Sequence, residues 1–566
     1  VGVGWSETPF PALEELIGRM SLADKIGQMV MAVNVANAPE TSDVRRLIVE
    51  GRVGSLIATG HRHLDAPAIA RRNSELQRLA LEHGAGVPLL MGGDFEQGLA
   101  SIMPRASTAF PQQMGFGAAG DLSLAEAAAF AIGVEARALG FHWTFAPNAD
   151  VQVNPANPVI GVRSFGDQTE QVAAFVTAQV RGYLNARLLA TPKHFPGHGD
   201  ADVDSHRGLP VITESLAELE RIHLPPFRDA FAAGVGSAMT AHIVVPALDP
   251  ELPATLSRPI LTGLLREKLG FEGIVITDMM NMKAIADNWP VEESAVLAVR
   301  AGADIVMPGP TTEEQIRTVQ GLLAAAEAGV IPRARIDASV RRVLRAKAWA
   351  GVLEGPFVDD ASAATARSGE HEETARRLFR RSIVLVRNDG SLPFVPDPAL
   401  RTLVVGVSTV NVFGGPTVSH VGVAAEAARR VAGGPVESWS ASGEDPTDAE
   451  IAEALALAGA ADRVIALTYS RGTLPAGQSR LIAALLETGK PVAAVATSTP
   501  YDIREYPNVG AYVASFVHSF APTHLATPAG LACAMEVLFG AEPEGRLPVT
   551  IPGLYEAGHG LRHGVG

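Results

Sequence analysis

From residue 11 to about residue 350 the chain alternates short apolar segments with Ala-rich amphipathic ones, a pattern that few folds accept. The apolar segments predict strands at residues 28–33, 53–58, 87–92, 142–146, 188–191, 237–242, 273–277 and 304–307. Helices are expected between them, at 66–83, 122–139, 169–185, 215–233 and 257–269. Such a run fits a (β/α)8 TIM-type barrel, with an open doubly wound sheet as the alternative. Polar residues favour the barrel, whose sites form at the C-terminal ends of its strands. The third strand runs into Gly93-Asp94-Phe95-Glu96 and the fourth into Pro147-Asn148-Ala149-Asp150. The fifth leads to Lys193 and His194, the sixth ends at His242 and the seventh at Asp278. One terminal Asp is ordinary helix capping, but a set of neighbouring strands ending in Asp, Lys or His is harder to assign to caps.

After a helix over 337–349, Gly, Pro and small polar residues mark a linker. The expected division is a barrel at 1–353, a linker at 354–375 and an α/β sandwich at 376–566. The second part shows a helix at 370–382, strands at 383–387, 402–407, 463–467, 491–496 and 511–516, and helices at 447–458 and 478–488. That order predicts an αβα-layered sheet. Phe413-Gly414-Gly415 opens a Gly-containing loop without a full phosphate-binding fingerprint.

A chain of 566 residues with 47% hydrophobic and 19% charged residues is a well-packed globular protein. Its net charge of −15 disfavours nucleic acid as a partner. The single cysteine, Cys533, lies in an apolar helical pattern and permits no internal disulfide. No apolar run approaches the roughly 20 residues of a membrane span, and VGVGWSETPF lacks a signal peptide's basic and apolar regions. A cytoplasmic location without a membrane partner is the expectation. The oligomeric state is not legible.

The densest chemistry lies at 191–206, TPKHFPGHGDADVDSH. Pro196, Gly197 and Gly199 break it into loop. His194 and His198 have a metal-like spacing, but Pro196 and Gly197 between them argue against a shared helix face, and no metal is expected. A solvated charged loop is the other bland reading. Asp204-Ser205-His206 carries the sharper one. In extended backbone, residues two apart point the same way, so the Asp204 carboxylate can orient the His206 ring. His206 is then a candidate general acid/base.

KHFPGHGDxxxDSH resembles the signature of family 3 glycoside hydrolases, in their β-N-acetylglucosaminidase branch. Gly545-Arg546-Leu547-Pro548-Val549-Thr550 resembles a stretch late in that family's second domain, so the likeness spans nearly the whole chain. It implies the barrel, with one or two irregular or reversed strands, followed by the sandwich domain. It also implies a retaining double displacement by two groups flanking the anomeric carbon. Within GIVITDMMNM, Asp278 matches the family's nucleophile, against the alternative that it caps a helix starting at Met279. Asp94, Arg163, Lys193 and His194 match the sugar ligands. Asp94-Phe95-Glu96-Gln97-Gly98-Leu99 departs from the acidic-x-Glu-Gly-Gly-Arg pattern of many relatives.

A histidine acid/base, unlike a carboxylate, does not repel an anionic acceptor when neutral. Inorganic phosphate is therefore a candidate co-substrate beside water, and no other cofactor is expected. The leading reading is an exo-β-N-acetylglucosaminidase acting on saccharides that carry terminal β-GlcNAc. A β-glucosidase or β-xylosidase of the same family, a silent sugar-binding protein and a metal-dependent hydrolase are the alternatives.

Overall fold

The computed structural model describes residues 11–35, 43–409, 418–518 and 526–564. Phe413-Gly414-Gly415 lies outside them. The chain forms two compact units. One comprises Val1–Thr108, Ala125–Asp150 and Ala173–Glu372, and the other Ala109–Leu124, Val151–Val172 and Glu373–Gly566.

The first unit is a TIM-type barrel. Strands β1 (Met31–Val35), β2 (Ser55–Thr59), β3 (Leu90–Gly93) and β4 (Trp143–Thr144) form one parallel sheet. Strands β5 (Ser237–Met239), β6 (Ile274–Met279) and β7 (Ile305–Met307) form another. Single parallel bridges close the ring. Val30 pairs with Val306, joining the last strand to the first. The segment 188–195 fills the remaining gap through Trp143 to Leu189, Asn148 to Lys193 and Phe195 to Thr240. This fifth stave, expected as a strand at 188–191, is therefore bridged at points and carries no ladder.

Alternate residues of each strand face one interior. Met31, Val33, Ile57, Leu90, Trp143, Phe145, Leu189, Met239, Ile274, Ile276, Ile305 and Met307 form one buried cluster. At the N-terminal end of the barrel, buried Asp304 receives Arg266, Arg335 and Arg342. The expected helices at 215–233 and 257–269 contain π turns, Leu219–His223 and Pro259–Lys268.

The second unit contains a six-stranded sheet. Its strands are β8 (Val384–Asn388), β9 (Thr402–Gly406), β12 (Val436–Ser440), β13 (Arg463–Thr468), β14 (Val492–Ala496) and β15 (Ala511–Ala514). A short antiparallel pair, β10 (Ser408–Thr409) and β11 (Val418–Ser419), stands apart. The sheet order is β12-β9-β13-β14-β15-β8, parallel except for β8. The barrel-side sequence contributes to this core, because Met114, Ala118 and Val162 pack with Val405, Val464 and Leu547. Cys533 is buried in the helix Ala526–Leu538, as its neighbours predict. Among the described residues no helix is long and apolar enough to cross a membrane.

Candidate active site

Asp278 stands near the end of β6, after the buried run Ile274, Val275 and Ile276. Its neighbour Met279 is still strand and the next helix begins at Lys283, so Asp278 does not cap a helix starting at Met279. The register of β6 on β7 slips between Ile276 and Met279. Such a bulge re-aims a strand end. Met279 packs against the interior cluster, while the Asp278 side chain keeps 22% of its exposure. The Met279 amide donates to Asp278 Oδ1 at 2.7 Å.

Burial works against ionising Asp278, but His194, His242 and Lys193 together outweigh it and hold the carboxyl below its usual range. His242 is fixed in turn. Its Nε2 donates to the Met279 carbonyl at 3.1 Å, and its Nδ1 lies 2.8 Å from Thr255 Oγ1. Burial pushes the His242 value down, and the charges of Asp278, His194 and His206 all act on it. Those three groups thus share one electrostatic neighbourhood.

Asp150, at the end of the fourth stave, organises the histidine loop. Its Oδ1 accepts the backbone N–H of His194 at 3.1 Å and of His198 at 2.7 Å. Its Oδ2 holds His194 Nδ1 at 2.8 Å. Burial opposes this charge, yet His194 and His198 bring the carboxyl down to about 2. The other ring nitrogen of His194, Nε2, lies 3.9 Å from Asp278 Oδ2.

Lys193 is buried and bridges two acids of the third loop, with Nζ 2.6 Å from Asp94 Oδ1 and 2.7 Å from Glu96 Oε1. Asp94 is about half exposed, at 48%, and so is open to a ligand. The departure from the relatives' pattern is apolar in effect: Leu99 is fully buried, and Phe95 stacks edge-on against Phe141 at 5.4 Å.

Asp204 and His206 form the expected pair. Asp204 Oδ1 lies 2.7 Å from His206 Nδ1 and accepts the His206 backbone N–H at 2.9 Å. Burial raises the Asp204 carboxyl, but the hydrogen bonds from His206 outweigh that and keep it low. The ring keeps 26% exposure. Arg163 lies in the second unit, at the end of the short turn Gly161–Arg163, where Nη1 donates to the Val159 carbonyl at 3.2 Å.

The barrel unit thus gathers Asp94, Lys193, His194, Asp204, His206 and Asp278, with Arg163 in the other unit. Sequence reasoning assigned no role to Asp150, Glu96 or His242. Each stood in the polar tail of a strand, and that position was the one signal that marked it.

Residues 21–346 match the Glycosyl hydrolase family 3 N terminal domain, and residues 383–559 match the Glycosyl hydrolase family 3 C-terminal domain. The chain belongs to glycoside hydrolase family 3 and is a glycoside hydrolase. It is 29% identical over 566 aligned residues to Beta-hexosaminidase A of Pseudoalteromonas piscicida, covering 91% of each chain. It is 30% identical over 416 residues to a Beta-N-acetylglucosaminidase/beta-glucosidase of Cellulomonas fimi, covering 71% of this chain and 70% of that one. The solved structure of a family 3 beta-N-acetylglucosaminidase from Paenibacillus sp. strain FPU-7 superposes with a TM-score of 0.86 at 37% identity. That match covers 94% of this chain and 99% of the other.

Proposed function

We propose that this enzyme is a retaining exo-β-N-acetylglucosaminidase. The observation that carries the reading is the 2.7 Å pairing of Asp204 with His206, in the same unit as a depressed Asp278 carboxyl. The named activities of the relatives from Pseudoalteromonas, Cellulomonas and Paenibacillus support it.

In the first step the Asp278 carboxylate attacks the anomeric carbon. The C–O bond to the leaving group breaks as the His206 imidazolium gives its Nε2 proton to the departing oxygen. Asp204, ionised, holds Nδ1 and stabilises the charged ring. In the second step neutral His206 takes a proton from water as the water oxygen displaces Asp278. Phosphate is the alternative acceptor, arriving already anionic and needing no base. Asp94 accepts sugar hydroxyl protons, while Lys193 and His194 donate to sugar oxygens. The saccharide partner carries terminal β-GlcNAc.

The test is turnover of 4-nitrophenyl β-GlcNAc beside the β-glucoside, with and without millimolar phosphate, with products resolved by NMR. Release of β-configured GlcNAc is expected first. A β-configured GlcNAc 1-phosphate identifies phosphorolysis by the same double displacement. An α-configured product contradicts Asp278 as a covalent nucleophile. Preference for the glucoside shifts the assignment to a β-glucosidase, and no turnover of either shifts it to a sugar-binding protein.

A further inference from the structure

The loop that carries His206 is tied at both ends. At one end the His198 amide donates to Asp150 at 2.7 Å. At the other the Ala284 amide donates to the Ser205 carbonyl at 3.1 Å. Just ahead of the first tie the loop leans on a residue outside the motif. Gly197 has φ +130°, and a Cβ built on it would fall 2.6 Å from His223 Cβ. Backbone and imidazole are therefore in direct contact, with no room for a side chain between them.

His223 is 1% exposed and ends the π turn Leu219–His223, where the Leu224 amide donates to the Leu219 carbonyl at 3.0 Å. The extra residue in such a turn rotates the helix beyond it, and π turns recur at functional sites. Behind the ring, Glu214 Oε2 lies 2.7 Å from Nε2. The atoms lie close, but among the described residues neither ring nitrogen has an aligned hydrogen bond, so packing holds the contact. On the loop side, half-buried Asp200 is crowded by like charges. Burial raises its carboxyl first, Glu214, Asp202 and Glu218 raise it further, and His223 counters them. Removing the imidazole would take that counterweight from Asp200.

We propose that His223, backed by Glu214, is a positioning residue for the acid/base: it props Gly197 and so sets where the loop presents His206 to the barrel site. This rests on reading His206 as the proton donor. A misplaced donor has a signature that a loss of folded enzyme lacks. Proton donation matters for a poor leaving group and hardly at all for one that departs unaided, whereas misfolding lowers every rate by the same factor.

The experiment compares kcat/KM for phenyl β-GlcNAc with that for 2,4-dinitrophenyl β-GlcNAc in the full-length enzyme. The variants are His223→Ala, His223→Gln, Glu214→Gln, Gly197→Ala and His206→Ala. General acid assistance contributes roughly 10²–10⁴-fold, so His206→Ala should lose on that order with the phenyl glycoside and far less with the activated one. For His223→Ala and Gly197→Ala the expected loss is about 10-fold or more with the phenyl glycoside and under about 3-fold with the activated one, a partial version of the same effect. His223→Gln, which keeps bulk at Gly197, should recover part of it. Equal losses on both substrates, or none, in the His223 and Gly197 variants overturn the proposal while the reading of His206 stands. If His206→Ala itself shows no dependence on the leaving group, that reading fails and takes the proposal with it.

Discussion

His194 Nε2 faces Asp278 Oδ2 at 3.9 Å, while the Nδ1 of the same ring is held by Asp150 at 2.8 Å. One imidazole thus links a fully buried carboxylate to one that solvent still reaches. With Nδ1 committed to Asp150, the ring turns its other edge towards Asp278 at the end of β6.

Replacing Asp278 should remove turnover and leave the fold intact. Asp278→Gly is expected to lower kcat on 4-nitrophenyl β-GlcNAc by at least ~10⁴-fold, the scale on which nucleophile deletions act. Added azide should restore product with inverted configuration, by direct attack in the vacated space. Unchanged turnover, or azide product of retained configuration, contradicts the assignment.

The acid side of the pH profile should report the cations around Asp278. Its carboxyl is held below the ordinary 3.8, with Lys193 among the groups that hold it there. Lys193→Met removes one of them, so the acid limb of kcat/KM should move to higher pH. A limb that stays put means that another group sets it.

Asp150 should stabilise the fold in a pH window of its own. Its folded value of about 2 lies below the ordinary 3.8, so its contribution is present above about 4 and lost as pH falls towards 2. Those values correspond to about 2 kcal/mol. Asp150→Asn should lower the melting temperature at pH 7 and converge with the parent near pH 2. Melting curves across pH 2–7 decide this, and a constant difference rejects it.

Lys347 predicts the opposite sign. It lies wholly buried in the helix Arg333–Trp349, with Nζ donating to Gln28 Oε1 at 2.5 Å. Burial pushes its value from 10.5 down to about 7. The unfolded chain therefore binds a proton that the folded one resists, and stability should rise with pH between 7 and 10.5. Lys347→Met should stabilise the fold at pH 7, by at most about 5 kcal/mol less the ~1–3 kcal/mol of leaving Gln28 unpaired, and so raise the melting temperature. The gain should shrink as pH approaches 10. A variant that melts lower at pH 7 shows that the Gln28 contact dominates.

The strand periodicity made most of the barrel legible, because buried parallel strands are nearly continuous apolar runs such as Ile274 to Ile276. The fifth stave, expected from Leu188, Leu189 and Ala190, is there and bonded to the fourth through Leu189 and Thr191, but without a regular ladder, since its pairing depends on what lies alongside. The edge strand β12 was missed for the converse reason. Glu437 and Ser438 are both exposed, one on each face, and mask any apolar alternation. Residues 109–124 and 151–172 pack with the second core, which no local pattern announces. In the site, the Asp204 and His206 pair followed from spacing alone. Asp150 did not, because its ties run 44 and 48 residues along the chain.

The fifth stave, bonded to both neighbours without a regular ladder, has a consequence for how such a site can change. A strand in a full ladder is locked by repetition, and a shift at one residue is resisted by all the others. Between Leu189 and Phe195 the backbone changes partner along its length: Leu189, Thr191 and Lys193 bond to the stave before it, and Pro192 and Phe195 to the stave after it, with the Trp143 indole on Thr191 at 2.6 Å and Asp150 on His194 added to them. The part of the barrel that carries Lys193 and His194 is therefore kept in place by backbone bonds on both sides, while the two side-chain ties at Thr191 and His194 are the ones that mutation can exchange.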